Sequence, residues 1–164
     1  MLRIKFAAGL LCLFLCTYAL AQPAGALLTV TGSITKYTDS RTKRYVFSES
    51  DFRALPQHTI HTSTSWTPAT AFVGPRLSDV LSKVGAGGSQ VEVLTLDDYS
   101  YTISIEEATR YGAILAMTMN GKRLQVSDFG PLFLIYPRDQ YPKELLTPVA
   151  EAKFIWQIKE LIVK

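Results

Sequence analysis

Turn-forming residues divide the chain after residue 26 into short segments, and most of these segments carry the apolar and β-branched residues of strands. Such composition with period-two alternation predicts β-structure. Asn120-Gly121 lies between two of the segments and predicts a type I′ hairpin turn, because both residues tolerate positive φ. The segments predicted as strands are 27–34, 44–47, 58–65, 90–96, 99–103, 113–119, 122–126, 131–136 and 153–163.

Two segments instead have the signals of short helices. Residues 75–84 place apolar side chains at i, i+3, i+4 and i+7, and Gly85 follows where a helix would end. Ser104 and Glu107 have the spacing of a capping box, which predicts a helix that ends at Arg110. The sequence therefore predicts far less helix than strand.

The order of these elements predicts an α+β fold with a mostly β mixed-sheet core and short helices. A doubly wound α/β sheet would require strands that alternate regularly with helices, which this order lacks. Residues 139–152 contain two prolines and are predicted as a loop. We expect residues 22–164 to form a single domain, since a chain of this length can bury a substantial core.

The first 21 residues have the three parts of a cleavable signal peptide. Arg3 and Lys5 precede an apolar run over 6–20, and Ala19-Leu20-Ala21 offers small residues for cleavage before Gln22. The run is shorter than the roughly 20 residues of a membrane-spanning helix, which makes an uncleaved anchor the weaker alternative. A lipoprotein is a second alternative, but a leucine precedes Cys16 where a small residue is expected. The prediction is a periplasmic or secreted protein without membrane insertion after cleavage.

Composition excludes several classes of function for the mature chain. Both cysteines, Cys12 and Cys16, lie in the predicted signal peptide, so residues 22–164 offer no disulfide, thiolate metal site or cysteine nucleophile. Removing Arg3 and Lys5 from the 17 basic residues leaves 15 against 14 acidic ones. This balance gives no electrostatic argument for binding nucleic acid or an anionic membrane.

Known catalytic and nucleotide-binding motifs do not occur in the chain: it contains no P-loop, G-x-G-x-x-G, H-E-x-x-H or G-x-S-x-G. His58 and His61 are three residues apart, which on a strand places them on opposite faces and argues against a shared metal. Asp97-Asp98 is interpreted as a turn rather than a catalytic carboxylate pair. Ser63 lacks the local turn of a strained hydrolase nucleophile.

A series of motifs between residues 50 and 164 has the order and spacing of a known family. Trp66 precedes Phe72 and Gly74, which lead into the leucine-containing helix. The later motifs are Leu-Thr-Leu-Asp-Asp-Tyr (94–99), Ile-Leu-Ala (114–116), Met-Asn-Gly-Lys-Arg-Leu (119–124), Gly-Pro-Leu-Phe-Leu-Ile-Tyr-Pro (130–137) and Trp156 in the terminal segment. The series resembles the sulfite-oxidase-type oxidoreductase molybdopterin-binding domain. The resemblance implies that family's fold and its molybdopterin cofactor.

The chain departs from this family at three positions that the resemblance assigns to the cofactor. The cysteine that ligates molybdenum, four residues before the Trp, corresponds to Thr62, whose hydroxyl is a poor substitute for a soft thiolate. An arginine of the family corresponds to Phe133, and a basic residue near the cofactor phosphate corresponds to Ile155. A phosphate needs cationic or backbone donors. We therefore expect no cofactor, with the molybdopterin cofactor as the alternative.

Polar and aromatic residues are expected to surround the remaining pocket, and such a mixture suits a small-molecule or peptide ligand. Trp66 and Tyr99 could instead be packing residues, and Arg138 with Asp139 could be a surface charge pair, which is the interpretation favoured for that pair. No catalytic residue and no metal ligand is assigned. The candidate ligand-binding residues are Thr62, Ser63, Thr64, Trp66, Asp98, Tyr99, Asn120, Tyr136 and Arg138.

Three functions follow from these observations. The first is an exported module that holds a small ligand or an exported or membrane protein partner, for example as the sensor of a signalling protein. The second is a molybdopterin-dependent oxidoreductase with an unusual ligand set, and the third is a structural subunit of a redox complex. The loss of cofactor residues within a retained fold favours the first.

Overall fold

The computed structural model describes residues 25–164, and the predicted signal peptide lies outside the described residues. The α+β class with a mostly β mixed-sheet core is confirmed. Within residues 25–164 the strands are β1 (Leu28–Gly32), β2 (Tyr45–Phe47), β3 (His58–Thr62), β4 (Thr70–Gly74), β5 (Gln90–Thr95), β6 (Ser100–Ser104), β7 (Ile114–Ala116), β8 (Thr118–Met119), β9 (Lys122–Arg123), β10 (Phe133–Ile135) and β11 (Ile158–Val163).

The first sheet has five strands in the order β2-β1-β11-β5-β6. Strands β1 and β11 pair in parallel, with Val30 opposite Leu161, and the other neighbours are antiparallel. The first and last described strands are thus adjacent, and β11 lies at the centre. Alternate residues of these strands, such as Val91 and Val93, are fully buried against the core.

The second sheet has the order β3-β4-β8-β9, and β7 and β10 form a separate pair. Gly74 lies at the end of β4, where a Cβ atom would stand 2.0 Å from the carbonyl oxygen of Leu115. Only glycine permits this approach of β4 to β7. The β3–β4 hairpin therefore packs closely on the β7–β10 pair, and its loop, residues 63–69, extends to the site described below.

The helices in the described part of the chain are α1 (Glu49–Arg53), α2 (Leu77–Val84), α3 (Ile105–Arg110), α4 (Pro142–Leu145) and α5 (Pro148–Glu151). The predicted helix over 75–84 is confirmed as α2, whose Leu77, Leu81 and Val84 are buried. Gly85 ends it with φ of 64°. No helix within residues 25–164 has the length and apolarity to cross a membrane.

Two local predictions are wrong, and two elements of the structure were not predicted. Residues 139–152 are not a loop but hold α4, α5 and part of a 3₁₀ turn (Arg138–Gln140), because the prolines occupy helix N-termini rather than break helices. The predicted strand over 113–119 is divided between two sheets as β7 and β8. Helix α1 and strand β4 were not predicted at all.

The predicted hairpin turn at Asn120-Gly121 and the predicted N-cap at Ser104 are both present in the structure. Asn120 and Gly121 have φ of 50° and 73°, as a type I′ turn requires. The Ser104 side chain accepts the N–H of Glu107, as expected of an N-cap. The Glu107 carboxylate, however, bonds to Lys153.

Candidate ligand-binding site

The end of β3 is anchored through a buried hydroxyl. Thr62 is the last residue of β3 and is 0% exposed. Its Oγ1 accepts a hydrogen bond from the backbone N–H of Asp139 at 3.1 Å. The hydroxyl is therefore occupied in holding the strand end to the 3₁₀ turn.

The residues after Thr62 make further polar contacts with the same turn. The Asp139 carboxylate accepts the backbone N–H and the hydroxyl of Ser63, both at 2.7 Å. Arg138 donates through Nη2 to the Ser63 Oγ at 2.8 Å and through Nη1 to the Ser65 Oγ at 3.3 Å. We call this set, Thr62, Ser63, Ser65, Arg138 and Asp139, the loop clasp.

Arg138 is buried, at 7% exposed, so the expectation of a surface charge pair with Asp139 is wrong. Its Nε lies 4.0 Å from an Asp139 oxygen, and its Nη1 lies 3.6 Å from Oε1 of Glu151. Its guanidinium also stands 6.0 Å from the centre of the Phe154 ring. A buried guanidinium needs such partners, since an unpaired buried charge is costly. Nε nevertheless has no hydrogen-bond partner among the described residues.

A tight turn at Thr64 directs Trp66 away from the core. The Thr64 Oγ1 accepts the backbone N–H groups of Trp66 at 3.2 Å and Thr67 at 3.0 Å, and lies 2.9 Å from the Thr67 hydroxyl oxygen. Thr64 is itself buried. Trp66 is left 45% exposed at the tip of this turn.

Trp66 forms one wall of an open cavity of about 380 Å³. We call it the aromatic pocket, and its lining residues are Trp66, Thr95, Asp97, Tyr99, Glu151, Ala152, Phe154, Ile155 and Trp156. The rings of Trp66 and Trp156 meet nearly at right angles, with centroids 4.3 Å apart. Tyr99 is also 48% exposed. Large aromatic side chains exposed together are a feature of binding surfaces.

We call Trp66 and Trp156 the tryptophan corner, and two phenylalanines pack against it on its core side. Phe133 is 0% exposed, and its ring centre lies 6.5 Å from that of Trp66 and 6.1 Å from that of Trp156. Phe129 stacks on Phe133 at 5.2 Å and contacts Trp156 edge-on at 5.9 Å. This packing fixes the orientation of both indole rings, so the walls of the pocket are formed in advance of any ligand.

The acidic turn between β5 and β6 contributes Asp97 to the pocket and directs Asp98 outward. The Asp97 Oδ1 accepts the Thr95 hydroxyl and, at 3.4 Å, the backbone N–H of Tyr99. The Thr95 hydrogen bond is the main reason that the pKa of Asp97 is lowered. Asp98 has φ of 65° and pairs with Lys159 at 2.5 Å.

The candidate ligand-binding residues predicted from the sequence therefore do not form one site. Trp66 and Tyr99 line the pocket, Thr62, Ser63 and Arg138 belong to the loop clasp, and Thr64 shapes the turn between them. Asn120 lies elsewhere, lining a second depression of about 230 Å³ with Met119 and Arg123. Tyr136 is 0% exposed in the core, where burial raises the pKa of its hydroxyl well above the usual range.

Sequence reasoning missed Asp97, Glu151, Phe154 and Trp156 as lining residues. Trp156 and Phe154 lie in the segment predicted as the terminal strand, 153–163, and Glu151 lies in the segment predicted as a loop, 139–152. A lone exposed carboxylate carries no sequence signal of its own. Within residues 25–164 no three His, Cys, Asp or Glu side chains are grouped as a metal site would require.

Comparison with known proteins adds the family. The structure is similar to the crystal structure of the sulfane dehydrogenase SoxCD from Paracoccus pantotrophus, with a TM-score of 0.60 and 16% sequence identity. The similarity covers 88% of this chain but 40% of that one, so it concerns the fold alone. No curated protein matches the sequence. The model of the oxidoreductase molybdopterin binding domain matches residues 36–140, more than half of the chain, and the protein therefore belongs to that family.

Proposed function

We propose that this chain is an exported domain that keeps the molybdopterin-binding fold, works without the cofactor and binds a small ligand in the aromatic pocket. The family suggests molybdopterin as a possible cofactor, so the proposal depends on whether the residues present suit that group. The observation that carries it is the tryptophan corner, in which Trp66 is 45% exposed and Trp156 is partly buried. The corner lies beside Asp97, where an anionic cofactor would be expected to meet cations.

The position that the resemblance assigns to the metal ligand does not suit a metal. Thr62 offers a neutral oxygen, and molybdenum in this family is expected on a soft, anionic thiolate. Its Oγ1 already accepts the Asp139 N–H, and the side chain is fully buried. Coordination would require the loop clasp to open at its central contact.

The positions assigned to the cofactor's anionic part do not suit a phosphate either. Phe133 packs among aromatic rings at 0% exposed, and Ile155 is 3% exposed in the pocket wall. Neither side chain can donate a hydrogen bond or carry charge. A buried anion without such partners is disfavoured by several kcal/mol or more. The residues present therefore do not fit the group.

The pocket suits a small organic ligand instead. Its volume of about 380 Å³ is in the range of ligand sites, which are commonly some 300–1,000 Å³. Its walls combine aromatic rings with a few polar groups, the mixture that gives such sites both affinity and orientation.

A protein partner is the second candidate, and one observation favours it. Leu146 and Val149 of the α4–α5 segment are 60% and 70% exposed, and Tyr141 nearby is 40% exposed. Exposed apolar side chains that are close in sequence are often covered by a partner. This candidate includes the structural subunit of a redox complex and the sensor of a membrane protein.

Metal analysis tests the cofactor part of the proposal. Protein purified from the exported compartment of its own host should contain no molybdenum in proportion to protein. Thr62→Cys should not load the metal, because Phe133 and Ile155 would still leave the anionic part without donors. Thr62→Ser is the matched control, since it keeps an oxygen. Molybdenum close to one atom per chain in the natural protein would overturn the proposal.

Terminal sequencing tests the export part. We expect a mature protein that begins at Gln22. A mature chain that keeps Met1, or one that carries a lipid on Cys16, would contradict cleavage before Gln22.

A further inference from the structure

We propose that the ligand of the aromatic pocket is a small organic cation of the quaternary or alkylated ammonium class. This inference rests on the proposed function, because it names the ligand class for the same pocket. It follows from two properties of the lining, the aromatic surface and the sign of the charge.

The aromatic surface is of the kind that binds cations. Four of the nine lining residues are aromatic: Trp66, Tyr99, Phe154 and Trp156. Tryptophan has the strongest cation–π attraction, and here two indole rings meet at an interplanar angle of 79°. A rounded group such as trimethylammonium can contact both walls of such a corner, because its charge is spread over several methyl groups.

The charged residues of the lining are all acidic. Asp97 and Glu151 are the only charged members of the set, and no lysine or arginine of the described chain lines the pocket. Asp97 keeps one carboxylate oxygen on Thr95 and Tyr99, so its negative charge is held at the pocket wall. A cation that enters would thus meet carboxylates as well as π faces.

The neighbouring cations offset this charge only in part. Arg138 lies behind the pocket and is shared between Asp139 and Glu151. Lys159 contacts Asp98 at 2.5 Å, and its positive charge also helps to lower the pKa of Asp97. Each of these cations is also paired with a carboxylate outside the pocket, Asp139 or Asp98, so the two lining carboxylates, Asp97 and Glu151, keep a net negative charge. An anionic ligand would be repelled, and a neutral one would lack the charge–charge attraction to the carboxylates.

Intrinsic fluorescence can test the inference directly. The chain has two tryptophans, and both line the pocket, so every change in tryptophan emission reports on this site. The probes are choline, the neutral alcohol in which a tert-butyl group replaces the trimethylammonium group, and the tert-butylacetate anion. These three have nearly the same shape and differ in charge. We expect choline to bind at least about tenfold more tightly than the neutral alcohol.

Matched variants separate charge from shape. Asp97→Asn and Glu151→Gln each keep an acceptor oxygen while removing one charge. We expect each to weaken choline binding about threefold to tenfold and to leave the neutral alcohol unchanged. Glu106→Gln makes the same chemical change on exposed α3, outside the pocket, and should leave choline binding unchanged. Raising the salt concentration should weaken choline binding only.

The outcomes distinguish this inference from the proposed function. If the neutral alcohol or the anion binds as tightly as choline, the cation class is wrong while a ligand-binding pocket stands. If choline produces no change in tryptophan emission at concentrations that saturate weak amine sites, the cation class is also wrong. Molybdenum at one atom per chain in the natural protein would overturn the proposed function itself.

Discussion

The loop clasp and the aromatic pocket are neighbouring regions that differ in the solvent exposure of their side chains. In the clasp, groups that prefer water are buried: Arg138 is 7% exposed and Thr62 is 0% exposed, and each has hydrogen-bond partners. In the pocket, groups that prefer burial are exposed: Trp66 and Tyr99 keep nearly half of their surface in solvent. The two regions share the loop of residues 63–69.

This difference indicates which region contributes to the stability of the fold and which is available for binding. Apart from Arg138 Nε, the clasp pairs its buried polar groups with one another and leaves few of them for a ligand. The pocket leaves aromatic surface exposed to solvent, and the tryptophans are held in place by Phe129 and Phe133. Exposed groups on a rigid scaffold are the usual arrangement of a binding site. Substitutions should therefore separate the two regions: those in the clasp should lower stability, and those in the pocket should lower binding.

The largest effect is expected from Arg138→Ala. The substitution leaves the Asp139 carboxylate and the Ser63 hydroxyl without their cationic partner and opens space beside Phe154. We expect the free energy of unfolding to fall by about 3 kcal/mol, at the low end for broken buried pairs because Asp139 and Glu151 are partly exposed. Urea unfolding measures this. Arg41→Ala, at an exposed arginine, should change stability by less than about 0.5 kcal/mol, and equal losses in both variants would refute the clasp.

A smaller loss of stability is expected from Thr62→Val. Valine keeps the shape of threonine but cannot accept the Asp139 N–H, which would then be unsatisfied at a cost of about 1–2 kcal/mol. Thr29→Val is the matched control, since Thr29 is 4% exposed on β1 and its hydroxyl has no partner. That variant should be neutral or more stable in the same urea titration. If both variants behaved alike, the Thr62 hydrogen bond would have no structural role.

The sequence predicted elements whose signal is local. Helix α2 has both its apolar period and Gly85, and the Asn120-Gly121 turn needs positive φ at both residues. The sequence did not predict elements whose strand pairing is determined by tertiary packing. Residues 113–119 look like a continuous strand, yet β7 pairs with β10 and β8 pairs with β4. No local pattern could show that division.

The site was predicted in part for the same reason. The family motifs around Trp66 and Tyr99 drew attention to two residues that line the pocket. Glu151 and Trp156 are distant in the chain and join them only because α5 and the segment before β11 pack beside the loop. Arg138 was expected at the surface because the run 136–139 resembles the entry to a loop and Asp139 follows directly. Its burial depends on contacts with residues 63–65, more than 70 positions away.

Trp66→Ala tests the pocket side of the comparison. Trp66 is 45% exposed and contacts Trp156 edge-on, so its removal should lower the free energy of unfolding by only about 1 kcal/mol. Choline binding should nevertheless be lost, because one wall of the corner is gone. Calorimetric titration reads binding here, since the fluorescence changes with the substitution itself. Trp66→Phe should retain part of the affinity for choline. If Trp66→Ala lowered the free energy of unfolding as much as Arg138→Ala does, the two regions would not differ in their roles.

The smallest effect concerns the pH dependence of stability at Asp97. The hydrogen bond from the Thr95 hydroxyl, followed by the N–H of Tyr99, lowers the pKa of Asp97 below its ordinary 3.8. A carboxyl group with a lowered pKa in the folded state stabilises the protein above its unfolded pKa, and this contribution is lost as pH falls through the folded value. The difference in unfolding free energy between the natural chain and Asp97→Asn should thus stay constant from about pH 7 to about pH 5 and shrink only below 3.8. Urea titrations across this range measure it. A difference that disappeared already near pH 5 would mean that the pKa of Asp97 is not lowered in the folded protein.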